Sequence, residues 1–200
     1  GEESQDDITV LEYGQYDLIN TVASEIKSNL EKHFNKEKAS QIFAYASILY
    51  ANDFTHLDQV NQYYEQSWLS HQYSPFSFSM GKNALGTLLD DLGRKTTRVT
   101  NYEKDMLDQS STIAIDGHAI RSCSDENDLS ETGYKFKLLK EDQINLLMGY
   151  DIKNSMPVFA RMYRGSCNDK SAIADLSDLL GFSGLLFVVD RGFYSDKNLK

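Results

Sequence analysis

The apolar run at residues 185–189, Leu-Leu-Phe-Val-Val, constrains the fold of this chain most. Polar and apolar residues do not alternate in it, which is typical of a strand covered on both faces in the middle of a parallel sheet. Flanking glycines at 184 and 192 leave no room for a buried helix. The run ends on Asp190, and ligands and catalytic groups gather at such strand ends in open α/β sheets. Capping of the following turn is the alternative role for this aspartate.

Residues 16–98 have a helical pattern, in which Leu18, Val22, Ile26 and Leu30 recur at helical spacing. Further on, we expect Thr55 to cap a short helix and Gly93 to close one that starts near residue 81. Three basic residues follow this last helix: Arg94, Lys95 and Arg98. The region is predicted to be either a helix-turn-helix-like DNA-binding module, with these three as candidate DNA contacts, or a structural helical bundle.

The hydrophobic period changes near residue 109, so we predict a helical region over 1–108 and a second domain over 109–200. Residues 112–120 are predicted to form a strand, and the polar stretch 121–132 a loop. Strands over 143–150 and 156–163 are expected to make a hairpin. A helix capped by Asn168 or Asp169 then leads to the strand at 185–190 and to a last helix near Ser195.

This order, β-β-β-α-β-α, predicts an α/β chain whose second domain is a partial ribonuclease-H-like fold. In that topology the fourth strand lies beside the first and parallel to it. Neighbouring strands are about 4.8 Å apart, so Asp116 and Asp190 are predicted to meet. Two carboxylates so close repel each other unless a divalent cation lies between them, and Mg²⁺ is the natural candidate. The chemistry predicted is metal-assisted phosphoryl transfer.

Charge and composition restrict the partners. The formal net charge of −10, most of it within residues 1–111, is unfavourable for binding nucleic acid, which needs a basic surface. Cys123 and Cys167 form no metal or redox motif and fit a reducing compartment, so we expect a cytoplasmic protein. No apolar run approaches the roughly 20 residues of a membrane span, and no membrane partner is expected.

Four segments carry a family resemblance: Ile-Ala-Ile-Asp116-Gly-His, Gln143-Ile-Asn-Leu-Leu-Met, Pro157 through Tyr163-Arg-Gly165-Ser, and Val-Val-Asp190-Arg-Gly-Phe-Tyr-Ser. Together they resemble the DDE transposases of bacterial insertion sequences, above all the large insertion-sequence family numbered four. The likeness covers residues 111–200, and the helical region before it is also similar to that family. The resemblance implies a ribonuclease-H-like core, Mg²⁺ or Mn²⁺, and cut-and-paste cleavage and joining of DNA at transposon ends by a homodimeric assembly.

The resemblance also implies roles for individual residues. Asp116 resembles the first catalytic acid and Asp190 the second, both of them metal ligands. The family's third acid, a glutamate, lies well beyond the second, and Asp196 is too near to replace it. Because the chain begins with Gly and stops at Lys200, we expect an excised piece that is inactive by itself.

Other residues near the two acids are candidates for contacts. His118 lies on the same face of the strand as Asp116, where it is expected either to contact DNA or to make a structural hydrogen bond. Arg191 is a candidate contact of the DNA backbone or a partner for a nearby acid. Two alternative functions stay open: a ribonuclease-H-like nuclease with a local third acid such as Asp169, and a non-catalytic fragment that binds DNA or serves assembly.

Overall fold

The structure, a computed structural model, describes residues 9–124, 127–133 and 141–189. Its helices are α1 Gly14–Val22, α2 Ser24–His33, α3 Lys36–Ala51, α4 Val60–Gln66, α5 Trp68–Gln72, α6 Lys82–Arg94, α7 Thr96–Asp108 and α8 Asp169–Leu180. Its strands are β1 Thr112–Arg121, β2 Glu131–Thr132, β3 Asp142–Asp151, β4 Met156–Arg164 and β5 Leu186–Val189. The chain divides into two compact units, Gly1–Tyr102 and Glu103–Lys200, so the division falls inside α7.

The first unit is helical, as predicted. Its main core is built around side chains that are wholly buried: Tyr16, Ile48, Val60, Leu69, Met80 and Leu85. A second cluster of Leu30, Phe34, Ala39 and Phe43 packs between α2 and α3. Asn35 caps α3, since its side chain accepts a hydrogen bond from the backbone N–H of Lys38.

Leu18 and Val22 lie in a helix, as their spacing predicted, but they are exposed, because α1 ends at Val22 and buries Tyr16 instead. Two predictions within this unit are wrong. Thr55 caps no helix: α4 begins five residues later, and the Thr55 hydroxyl donates to Gln59 Oε1. Gly93 does not end α6, which continues for one more residue.

The chain leaves α3 through a left-handed turn without glycine. Asp53 and Phe54 have φ of 51° and 57°, a region that L-residues with a Cβ rarely adopt. The turn is held by a hydrogen bond of 2.7 Å from the Phe54 N–H to the carbonyl of Leu49. This bond satisfies one of the carbonyls that the end of a helix leaves unpaired.

The second unit contains a mixed sheet, so the predicted α/β class holds. β3 and β4 form the predicted antiparallel hairpin, and β3 also pairs antiparallel with β1. β2, a two-residue strand inside the stretch predicted to be a loop, pairs with the start of β3. α8 begins after Asn168, whose side chain accepts a hydrogen bond from the Ser171 N–H, so Asn168 and not Asp169 is the cap of the two that the sequence offered.

β5 lies beside β1 and parallel to it, as expected. The register pairs Thr112 with Leu186 and continues residue by residue to Ile115 and Val189. The sequence predicted that this strand is covered on both faces, and this prediction is wrong. Leu186 is 63% exposed and Val188 50%, because β5 is an edge strand of the described sheet and has β1 as its one partner there.

The sheet has a covered face and an open face. On the covered face, the Tyr163 hydroxyl donates to the carbonyl of Ala172 in α8. The carboxylate of Glu103, in α7, is buried and accepts from Arg161 on the same face at 2.6 Å. The register assigns the alternate residues to the open face, among them Ala114, Asp116, His118, Ile120, Met148, Tyr150, Met162, Leu186 and Val188.

Two features stabilise the β3–β4 hairpin. At Gly149 a Cβ would lie 2.2 Å from the buried ring of Phe159, so the ring packs against bare backbone. At the turn, the buried Asp151 accepts hydrogen bonds through Oδ1 from the N–H groups of Lys153 and Asn154. Its Oδ2 accepts a third, from the side-chain amide of Asn154 at 2.8 Å.

Candidate functional site

Asp116 lies in the middle of β1, on the open face. Its side chain is exposed, and Oδ1 accepts a hydrogen bond of 2.9 Å from the N–H of Gly117. Across the sheet it is opposite Met148, and its neighbours on the same face of β1 are Ala114 and His118. Among the described residues, the carboxylate therefore has an apolar side chain across from it and lone pairs open to a ligand.

His118 lies two residues further along β1, on the same face, as the sequence predicted. It is exposed and lies opposite Leu146. The part of the chain that the structure describes offers its imidazole no hydrogen bond or ion pair. The structural hydrogen bond that was the alternative to a functional role is therefore not made with any of those residues.

Asp190 and Arg191 lie outside the described residues, so their positions stay predictions. What the structure describes is the strand that leads to them. Ile115 and Val189 are register partners, and in the sequence each directly precedes one of the two predicted catalytic aspartates.

The basic residues predicted to contact DNA lie at the end of α6 and the start of α7. Arg94 Nε donates to both carboxylate oxygens of Asp90, at 2.7 and 2.9 Å. Lys95 Nζ lies 2.5 Å from Asp91, and hydrogen bonds from Lys38 and Lys95 lower the pKa of Asp91 to about 2. Two of the three cations are thus paired with carboxylates of their own helix end.

Arg98 is exposed in the first turn of α7. A single residue, Lys95, connects α6 to α7, whereas a helix-turn-helix motif has a turn of about three or four residues. The geometry of a helix-turn-helix is therefore not formed by this pair of helices.

Asp169 is the first residue of α8, on the covered side of the sheet. Tyr163, which α8 contacts, is opposite Asn145, and Asn145 is opposite Ala119. Because Ala119 and Asp116 are an odd number of residues apart on one strand, they point to opposite faces. Asp169 thus belongs to an element packed on the other side of the sheet from Asp116.

The apolar surroundings of Asp116 were missed in the sequence. The long apolar stretch in β3 indicates burial but does not show that Met148 and Tyr150 remain exposed around an acid. Cys123 and Cys167 are both free thiols. Within the described ranges no three His, Cys, Asp or Glu side chains are grouped to hold a metal ion, and no helix has the length and apolar character to cross a membrane.

A polar groove of about 530 Å³ lies in the first unit, lined by Asp17, Asn20, Ser24, Lys27, Ser28, Glu31 and Gln72. The Lys27 ammonium lies over the ring of Tyr73, 5.1 Å from its centroid, and burial lowers the pKa of this lysine. Carboxylates and a cation both line the groove, so its charge selects neither anions nor cations.

Comparisons with protein-family models, curated proteins and solved structures found no match.

Proposed function

We propose that the chain is part of a DDE-type transposase, which cleaves and joins DNA strands with the help of Mg²⁺ or Mn²⁺. Asp116 and Asp190 are the first two of its metal-binding carboxylates. The observation that carries the proposal is the parallel register of β1 and β5, in which Ile115 pairs with Val189. Continuation of that register by one residue would set the two aspartates side by side.

The topology of the sheet supports the same proposal. An antiparallel three-strand arrangement of β1, β3 and β4 is followed by α8 and by a strand parallel to β1. A ribonuclease-H-like core begins with this order of elements and places its first and fourth long strands together. We therefore propose a ribonuclease-H-like fold for the second unit, which agrees with the family that the four sequence segments resemble.

The donor set fits a divalent metal ion. Asp116 is exposed and has carboxylate lone pairs that no described side chain occupies, and oxygen ligands are those that Mg²⁺ and Mn²⁺ prefer. Such an ion, when bound, supplies charge stabilisation for a phosphate group and acidifies a bound water. The role of Asp116 is to hold that charge at the centre of the open face, where it is exposed and accessible to DNA.

The alternative of a nuclease with Asp169 as its third acid is less well supported. α8 packs on the covered face, and Asp116 is on the open face. A carboxylate at the start of α8 would have to reach around the sheet to share an ion with Asp116. The third acid is therefore sought elsewhere than in α8.

The test is Mn²⁺ binding by the 200-residue chain, followed by electron paramagnetic resonance of free Mn²⁺. We expect one bound ion, lost in Asp116→Asn and in Asp190→Asn. Asp178→Asn is the matched control, because it removes the same charge from an exposed position on α8. Unchanged binding in Asp116→Asn would overturn the proposed site.

A second experiment tests the DNA substrate. Fe²⁺ bound in place of Mn²⁺ reduces added hydrogen peroxide to hydroxide and a hydroxyl radical, becoming Fe³⁺, and the radical cuts a DNA duplex held next to the ion. We expect strand cuts with the wild-type chain and with Asp178→Asn, but not with Asp116→Asn. If DNA binds equally to all three proteins and is never cut above the level of free Fe²⁺, the chain is a non-catalytic DNA-binding fragment.

A further inference from the structure

Asp116 and His118 form an Asp-Gly-His sequence on the open face of β1. Residues i and i+2 of a strand project from the same face, about 7 Å apart along the backbone. A carboxylate oxygen and an imidazole nitrogen at this spacing can converge on one metal ion, since each metal–ligand bond is about 2.0–2.2 Å long. The backbone between them is regular strand, paired with β3 through Met148, Leu147 and Leu146.

Among the described residues, both side chains have room for a ligand. There the carboxylate of Asp116 accepts one hydrogen bond, on Oδ1, and the imidazole of His118 has no partner. Exposed apolar residues surround the pair on the open face, Met148 across from Asp116 and Met162 beyond Leu146. A polar pair in such surroundings, with unused lone pairs, is a poor arrangement for packing and a good one for chelation.

We propose that His118 binds the same metal ion as Asp116, through an imidazole nitrogen. This inference rests on the proposed function and adds to it a preference between metal ions. Carboxylate and water ligands suit Mg²⁺ and Mn²⁺ alike, whereas imidazole nitrogen suits first-row transition metals and is a poor ligand for Mg²⁺. The site therefore favours a first-row transition-metal ion over Mg²⁺, and Mn²⁺, which accepts oxygen and nitrogen ligands, is the probe of that preference.

The experiment measures the binding of Mn²⁺ by the 200-residue chain directly. It measures the binding of Mg²⁺ by its competition with bound Mn²⁺. We expect His118→Gln to weaken Mn²⁺ binding by about tenfold or more, as for the loss of a ligand contact, and to change Mg²⁺ binding much less. His56→Gln is the matched control, because His56 is exposed in the first unit. His118→Asp replaces the nitrogen ligand with oxygen and is expected to reverse the preference toward Mg²⁺.

Electron spin-echo spectroscopy of bound Mn²⁺ gives a direct readout. Coupling to an imidazole nitrogen is expected in the wild-type chain and in His56→Gln, and is expected to be absent in His118→Asp. A site that binds Mn²⁺ without nitrogen coupling would overturn the role of His118. Circular dichroism of each variant shows whether it has kept its fold.

The outcomes separate this inference from the function on which it rests. If Asp116→Asn and Asp190→Asn lose Mn²⁺ while His118→Gln binds it normally, the two-acid site stands and the ligand role of His118 is wrong. If Asp116→Asn and His118→Gln lose Mn²⁺ while Asp190→Asn keeps it, the chelate stands and the two-acid site is wrong.

Discussion

In the left-handed turn after α3, the side chain of Asp53 destabilises the folded state. Asp53 has a φ of 51°, and glycine adopts that region without the steric cost of a Cβ. We expect Asp53→Gly to raise the free energy of unfolding by about 0.5–1 kcal/mol, after the larger entropy of a glycine in the unfolded chain is subtracted. Urea unfolding followed by circular dichroism measures the change.

Asp58→Gly is the control for that substitution. Asp58 is also exposed, but its φ is negative, so glycine there relieves nothing. It should lower the free energy of unfolding by about 0.5–1 kcal/mol. Equal effects of the two substitutions would show that the turn is not strained at Asp53.

Asp151 gives a pH-dependent contribution to stability. Burial by itself raises the pKa of Asp151, but the hydrogen bonds that its carboxylate accepts, among them those from Asn154 and Lys153, outweigh it, so the pKa lies below its ordinary value of 3.8. A lowered pKa means stability that is present above pH 3.8 and is lost as the pH falls through the folded-state value.

Asp151→Ala should therefore cost about 1–3 kcal/mol at pH 7, because the hydrogen bonds of the hairpin turn lose their acceptor. The difference between wild type and variant should narrow as the pH falls below 3.8. Unfolding curves at several pH values check this, and a difference that stays constant into acid would contradict it.

At the scale of elements, the alternation of residues along β1 was enough to predict that Asp116 and His118 share a face. Three further features were predictable, because each depends on local pattern and on the order of elements. They are the β3–β4 hairpin, the capped helix α8 and the parallel pairing of β5 with β1. The exposure of β5 was not predictable. An apolar run indicates that burial is favourable, and only the sheet order shows which strand is left at the edge.

The contact between α7 and the sheet is a second feature that local pattern does not reveal. Glu103 is 5% exposed and pairs with Arg161 from β4, and its Oε1 also accepts from the N–H of Ala160. Burial raises the pKa of Glu103, and the charge of Arg161 offsets part of that effect.

Glu103→Ala should cost about 3 kcal/mol, because it removes the carboxylate that balances the charge of the largely buried guanidinium of Arg161. Replacing both residues, as Glu103→Leu with Arg161→Met, should restore most of that loss. Denaturant unfolding of the single and double variants measures both values. A double variant as unstable as Glu103→Ala would mean that the pair is not what holds α7 against β4.

At the scale of the whole molecule, charge decides how the chain meets DNA. The formal net charge is −10, and Arg94 and Lys95 are already paired with aspartates. We expect no more than weak binding of duplex DNA by this chain at physiological salt, with affinity rising as the salt concentration falls. Fluorescence anisotropy with a labelled duplex tests this, and tight, salt-insensitive binding would contradict it.

The position of β5 at the edge of the sheet that the structure describes has a consequence for how the protein behaves in solution. An apolar edge strand offers its free backbone groups to any other strand, including that of a second molecule. At low ionic strength the negative charge keeps molecules apart, and at about 1 M salt the screening length falls to about 3 Å. Added salt should then turn a clear solution turbid, and anyone concentrating the protein for crystals should begin in dilute buffer.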